Sequence, residues 1–130
     1  MKKKYLAAIF VILIFSCKKE NVTLYQNLVG KWDWKISYDT NGGKMIPTLP
    51  SKSIITFNLN KTFINKSVCI IGNSLDGQYE IKNIENADII ILKSQNYMPD
   101  TFKIEINGSH LLLTATPKNY SWKNEFSKIE

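Results

Sequence analysis

The chain has 130 residues, of which 44% are hydrophobic and 12% aromatic, and its formal net charge is +6. This length suits one globular domain, and the aromatic share favours a β-rich fold. All 17 basic residues are lysine. Because arginine is the side chain that best contacts phosphate and guanine in a bidentate way, its absence argues against a nucleic-acid partner.

Residues 1–17 have the three-part layout of a secretory signal. Lys2, Lys3 and Lys4 precede an uncharged apolar run over residues 5–15, and Ser16 and Cys17 follow. The run is shorter than the roughly 20 residues that a membrane-spanning helix needs. The sequence therefore predicts an exported protein.

The end of this segment, residues 14–17, resembles the lipobox of bacterial lipoproteins, in which the cysteine is diacylated and becomes the new N-terminus. The resemblance implies a signal peptide over 1–16, acyl chains such as palmitate at Cys17, and a tether with a short helical turn over 17–27. No acidic residue follows Cys17 directly, so the resemblance to envelope lipoproteins implies an outer-membrane location. Phe15 departs from the usual small or aliphatic residue, which leaves ordinary signal-peptidase cleavage as an alternative. An uncleaved hydrophobic N-terminal anchor, which would carry no thioether, is another alternative. A disulfide between Cys17 and Cys69 is the competing arrangement.

The stretch from Gly30 to Asp39 alternates strictly between apolar and polar residues, as a half-buried β-strand does. This pattern predicts that Trp32, Trp34, Ile36 and Tyr38 face a core, whereas Asp33 and Asp39 face solvent. Just before it, residues 22–29 have near-helical apolar spacing. They predict a short helical turn, capped by Thr23, that plugs one end of the fold.

Seven further strands are predicted, at about 53–59, 62–71, 77–81, 87–93, 102–106, 111–115 and 122–126. Long connections near 40–51, 72–76, 94–100 and 117–121 alternate with tight turns near 60–61, 83–86 and 107–108. Sequential hairpins predict an all-β, antiparallel up-and-down barrel of about eight strands over residues 28–130. Alternate connections lie at the same end of such a barrel. We therefore expect a mouth surrounded by the long loops at one end, and a narrow, closed opposite end where both chain termini lie.

The triplet Gly30-Lys31-Trp32 resembles the G-x-W motif of lipocalins. Together with Leu28, the segments 55–57 and 61–63, the pattern Gly77-x-Tyr79-x-Ile81 and the segment 126–129, it is similar to small bacterial lipocalin-like lipoproteins. The resemblance implies structural roles for Gly30 and Trp32. Larger lipocalins pack an arginine over this tryptophan; because the chain has none, Lys123 or Lys128 would have to cover Trp32.

Two functions fit these predictions. The first is a lipid-anchored envelope protein that binds a small apolar or amphipathic ligand in the barrel or at its mouth. The second is a protein-interaction or inhibitor module that acts through the mouth loops and has a filled barrel core; its protein partner is left open. The candidate ligand-binding residues are Tyr38, Met45, Leu49, Phe57, Tyr79, Tyr97, Met98, Tyr120 and Trp122, although the same residues could simply fill and cap a small core.

An enzyme is the least favoured reading. The single histidine, His110, is predicted to be a surface residue because it has the opposite parity to Leu111 and Leu113. The sequence has no Cys/His metal spacing, no phosphate-binding glycine loop and no carboxylate pair on one predicted strand face. We therefore predict no catalytic residue, no metal and no cofactor.

Overall fold

The structure is a computed structural model that describes residues 21–67, 74–116 and 122–130. The sites predicted at Cys17 and Tyr120, and the second cysteine Cys69, lie outside these residues. The described chain forms one helix, α1 (Val22–Leu28), a single 3-10 turn (Leu49–Ser51) and nine strands. The strands are β1 (Gly30–Tyr38), β2 (Lys44–Met45), β3 (Ser53–Phe57), β4 (Thr62–Ser67), β5 (Ser74–Ile84), β6 (Ala87–Lys93), β7 (Asp100–Asn107), β8 (His110–Ala115) and β9 (Lys123–Lys128).

All strand pairs are antiparallel, and β1 and β3 to β9 pair in chain order. Strand β9 pairs back with β1, so eight strands close into a barrel. The short strand β2 pairs only with the last two residues of β1. The predicted all-β up-and-down barrel with a short helical turn is therefore confirmed.

The two ends of the barrel differ. The register places Gly30 opposite Phe57 and Trp32 opposite Lys128, so both ends of the described chain lie beside the β3–β4 turn. The β5–β6 and β7–β8 turns lie at this same end, which we call the closed end. The longer segments 39–52 and 94–99 leave the strands at the opposite end, which we call the mouth.

Helix α1 seals the closed end. Its side chains Leu24 and Leu28 are buried in the core. The helix is capped by Asn21, whose Oδ1 accepts a hydrogen bond from the Leu24 amide at 3.2 Å, so the prediction that Thr23 caps it was wrong. Asn21 lies one residue before the first helical turn, where a side-chain oxygen reaches the free amides.

The core lies between the helix and the middle of the barrel. Trp32 is completely buried, and its Nε1 donates a hydrogen bond to the Leu28 carbonyl oxygen at 2.7 Å. Gly30 has a φ of +133°, and a Cβ at this position would lie 2.3 Å from the Glu130 carbonyl oxygen. The last residue of the chain thus crosses directly over the first residue of β1. The other buried apolar residues of the core cluster are Ile55, Phe57, Phe63, Tyr79, Ile90, Ile104, Leu111, Leu113 and Phe126, and Ile89 is buried outside the cluster.

The described part of the chain contains no helix long and apolar enough to cross a membrane.

Candidate functional site

The predicted alternation of β1 breaks at Lys35. Trp34 lies opposite Phe126, but the next paired residue, Ile36, lies opposite Glu125, so one residue of β1 has no partner on β9. Such a bulge reverses which residues face the core. Beyond it Ser37 is the inward residue, at 1% exposure. The prediction that Ile36 and Tyr38 face inward was therefore wrong.

Tyr38 instead lies on the outer surface of the barrel, opposite Lys123. The Lys44 ammonium group is 5.9 Å from the centroid of its ring. Desolvation, with a contribution from the neighbouring Glu125 carboxylate, raises the pKa of Tyr38. The ring lines an outer groove of about 400 Å³, which meets a second groove of about 300 Å³ at Leu112 and Glu125. His110, which is exposed as predicted, lines the second groove.

The inward face of the mouth half carries a short hydrogen-bond chain. Trp34 Nε1 donates to Ser37 Oγ at 2.9 Å, and Ser37 Oγ donates to Asn124 Oδ1 at 2.5 Å. The chain links β1 to β9 across the barrel seam. It satisfies three polar groups that would otherwise lose water without compensation.

A further inward polar side chain, Asn65 on β4, has an oxygen atom without a hydrogen-bond donor among the described residues. It lies between Ile55 and Leu75 in register; Ile55 belongs to the core, and Leu75 is partly buried and packs against it. Its Oδ1 is buried and accepts no hydrogen bond from the described residues. An amide oxygen buried without a donor costs about 1–3 kcal/mol. Asn65 was not predicted as a site residue, and only its inward parity among apolar neighbours could have indicated it.

Three further side chains on the wall of the mouth half are apolar. Leu75, Leu92 and Phe102 are partly buried and pack against the core. Phe102 lies opposite Ile90 and Ala115, and Leu92 lies opposite Tyr79. The inward surface towards the mouth therefore combines apolar side chains with the amides and hydroxyl of Asn65, Asn124 and Ser37.

Five of the predicted ligand-binding residues lie at the mouth and are exposed. They come from three separate segments, and Met98, at 88%, and Leu49, at 69%, are exposed furthest. A sixth exposed apolar residue, Ile46, lies in the same region. We call this set the rim: Met45, Ile46, Leu49, Tyr97, Met98 and Trp122.

Phe57 and Tyr79 lie inside the barrel, but they are packed core residues near the closed end. Their rings meet edge to face, with centroids 5.2 Å apart, and Tyr79 lies 5.9 Å from the ring of Tyr25 on α1. The Tyr79 hydroxyl donates to the Asn58 carbonyl oxygen at 2.9 Å. These contacts make both residues part of the floor rather than of the mouth.

Asp33 is on the outer face but is only 6% exposed, so the prediction that it faces solvent was wrong. The ammonium groups of Lys35 and Lys52 lie 2.5 Å and 3.3 Å from Oδ2 and cover the carboxylate. Burial alone would raise the pKa of Asp33, but the hydrogen bonds and charges of the two lysines outweigh burial and lower the pKa. The pair with Lys52 ties the end of the 39–52 segment to β1.

Within residues 21–67, 74–116 and 122–130, no group of three or more histidine, cysteine or acidic residues could hold a metal ion. No family model, curated protein or solved structure matches this chain. The class of protein is therefore defined by the fold, an eight-stranded antiparallel barrel with a helix in one end.

Proposed function

We propose that this chain is a lipid-anchored, lipocalin-like protein of the cell envelope that binds a small amphipathic ligand in the mouth half of its barrel. The observation that carries the proposal is the buried, unpaired Oδ1 of Asn65, which lies between the apolar residues Ile55 and Leu75 in register. A ligand hydroxyl or amide could donate to this oxygen while the ligand's apolar part packs against Leu75 and Phe102. Ligand pockets commonly combine an apolar lining with a few placed polar groups.

The lack of charge on the side chains of this wall restricts the class of ligand that it can bind. The side chains that define it, namely Trp34, Ser37, Asn65, Leu75, Leu92, Phe102 and Asn124, are all uncharged. Asp100 lies opposite Leu92 but is exposed, at the start of β7. An ion in contact with the seven side chains would lose its hydration without meeting an opposite charge among them. We therefore expect a neutral amphipathic ligand with a hydrogen-bond donor.

The ligand proposal is tested by exposing the purified protein to a mixed polar lipid extract and measuring bound mass by native mass spectrometry. We expect one neutral ligand per barrel. Asn65→Leu should lose the ligand yet remain at least as stable as wild type, because the unpaired oxygen is removed. Asn96→Leu, which changes an exposed asparagine at the mouth, is the matched control and should retain the ligand. Wild-type protein that carries no ligand after this treatment would count against the proposal.

The anchor part of the proposal rests on the sequence of residues 1–17 and its resemblance to a lipobox. Mass spectrometry of the mature protein tests it directly. We expect an N-terminal peptide that begins at Cys17 and carries acyl chains. An unacylated Cys17 in a disulfide with Cys69 would contradict it.

A second candidate, a protein-interaction module, is favoured by the exposure of the rim. Met98 and Leu49 are too exposed to line an interior, and such side chains are typical anchors of protein interfaces. The double substitution Met98→Asp and Leu49→Asp separates the two functions. It should abolish capture of a stoichiometric envelope protein if the rim is an interface, whereas ligand binding at Asn65 should persist.

A further inference from the structure

We infer that the closed end of the barrel is itself a membrane-docking surface, which lies on the phospholipid bilayer beside the anchor. The inference rests on the proposed lipid anchor and adds a second, non-covalent contact to it. We call this surface the closed-end patch and define it by four exposed apolar residues: Val22, Leu59, Ile84 and Ile129.

The four residues belong to four separate segments that the topology brings to one end. Val22 begins α1, Leu59 is in the β3–β4 turn, Ile84 ends β5, and Ile129 follows β9. Each is at least 48% exposed, and Leu59 reaches 79%. They are not required to seal the barrel, because Leu24, Leu28 and Trp32 already fill the space beneath them. The closed end therefore exposes four apolar side chains: two at turns, one near the chain end and one on the helix.

Lysines flank this patch. Lys61 follows Leu59 by two residues, Lys82 precedes Ile84 by two, and Lys31 lies near Ile129, whose amide donates to the Lys31 carbonyl oxygen at 2.9 Å. Apolar side chains that enter the acyl boundary, with lysines at the level of the headgroups, are the pattern of interfacial membrane binding. Two of these lysines have acidic partners, Glu130 for Lys31 and Glu80 for Lys82, so the apolar side chains carry most of the docking and the lysines add a weaker attraction to anionic headgroups.

The position of the first described residue indicates that the closed-end patch contacts a bilayer. The described chain begins at Asn21, four residues after Cys17, and this start lies at the closed end. Four extended residues span at most about 14 Å. The nine residues of β1 alone cover about 30 Å at roughly 3.3 Å per residue, so the rim lies beyond the reach of the anchor. A lipid on Cys17 therefore holds the closed-end patch, and not the rim, against the membrane.

The test uses the full lipidated protein in vesicles of phosphatidylethanolamine and phosphatidylglycerol. A fluorophore is attached through Leu59→Cys, or through Met98→Cys at the rim as the matched control, and both proteins carry Cys69→Ala. Lipids with spin-labelled acyl chains should quench the fluorophore at position 59 several-fold more than the one at position 98. Equal quenching, or stronger quenching at position 98, would overturn the inference.

This design separates the inference from the anchor proposal. Protein that floats with the vesicles but shows no quenching at position 59 retains its anchor and lacks the docking surface. Protein that does not float with the vesicles has no functional anchor. Protection of position 59 that requires added envelope protein instead of lipid would also overturn the inference and assign the patch to a protein partner.

A second measurement avoids the label. The double substitution Leu59→Asp and Ile84→Asp should speed transfer of the lipidated protein between vesicles several-fold, because charged side chains leave the acyl boundary. Ile46→Asp with Met98→Asp places the same two charges on the rim and should leave the transfer rate unchanged. Equal transfer rates for the two double variants would contradict docking through the closed end.

Discussion

Lys128 lies over the indole ring of Trp32, with its Nζ 5.2 Å from the ring centroid, and the same Nζ donates to the Asn27 carbonyl oxygen at 3.0 Å. One side chain of the last strand thus contacts both the first strand and the helix. The lipocalin resemblance implied a cation at this place, and Lys128 provides it because it lies opposite Trp32 in the β1–β9 register. Lys123 is opposite Tyr38, near the mouth.

Truncation of Trp32 should strongly destabilise the barrel. Trp32→Ala removes the ring that α1, Lys128 and the core all contact, and we expect the free energy of unfolding to fall by about 3–5 kcal/mol. Urea unfolding measures this change. Trp122→Ala, at the exposed rim, is the control and should change stability by less than about 0.5 kcal/mol. A Trp32→Ala protein with wild-type stability would contradict the assignment of Trp32 to the barrel floor.

Gly30→Ala should cost more than an ordinary glycine substitution. The new Cβ would collide with the Glu130 carbonyl oxygen, in addition to the strain of a φ of +133°. Gly108→Ala is the matched control, because Gly108 has a φ of +59° but open space around its Cβ position. The control should lose about 1–2 kcal/mol from the left-handed backbone alone. Equal losses in the two variants would show that Glu130 does not pack on Gly30.

The reversed parity after the bulge can be tested with two neighbouring residues. Ser37→Val leaves Trp34 Nε1 and Asn124 Oδ1 without their present partner and should cost about 1–3 kcal/mol. Tyr38→Val changes a residue on the outer surface and should cost less. Thermal unfolding of both variants provides the comparison. A larger loss of stability for Tyr38→Val than for Ser37→Val would contradict the bulge and support an uninterrupted alternation in β1.

Asp33 should make the protein more stable at neutral pH than in acid. Its pKa is lowered in the folded state, so its contribution is present above the unfolded value of about 3.9 and is lost as the pH falls through the folded value. Asp33→Asn should therefore be less stable at neutral pH and should lose less stability on acidification. Chemical unfolding across this pH range measures both effects, with Asp100→Asn as an exposed control. Parallel acid curves for wild type and Asp33→Asn would contradict the prediction.

Tyr79 should limit stability in alkali. Burial, with a contribution from Tyr25, raises its pKa to about 12. Because the unfolded value is about 10, the neutral phenol stabilises the fold below about pH 10, and this contribution is lost as the pH rises towards about 12. Tyr79→Phe should cost about 1 kcal/mol at neutral pH through its lost hydrogen bond, and should remove this alkaline loss. Chemical unfolding at neutral and alkaline pH measures both changes. Tyr97→Phe, which changes an exposed tyrosine, is the control and should behave as wild type.

The barrel itself could be predicted from the sequence because its signals are local. Period-two alternation, tight turns and loop lengths are each read within a few residues. They correctly indicate the strand order, the two different ends and the helix that plugs one of them. The contact between Trp32 and a lysine could also be predicted, because the lipocalin resemblance implied a cation over the ring and the chain contains no arginine.

The candidate site was predicted less well, because it depends on register. The bulge at Lys35 adds one residue to a perfectly alternating sequence, and nothing within β1 marks it. It is visible only in the pairing with β9, where Trp34 lies opposite Phe126 and Ser37 lies opposite Asn124. Asp33 is covered by Lys52 from a distant segment, and Asn65 is noticeable only when its neighbours on β3 and β5 are known.

The seam between β1 and β9 also has a consequence for the order of folding. The hairpins can form early, since each needs only a short turn, whereas the seam joins strands from opposite ends of the chain. Closure over such a distance is costly in chain entropy and slows folding. Until Lys128 reaches Trp32, β1 and β9 each present a free edge, and a free edge readily pairs with another chain. The risk of aggregation is therefore concentrated in the interval before the seam closes.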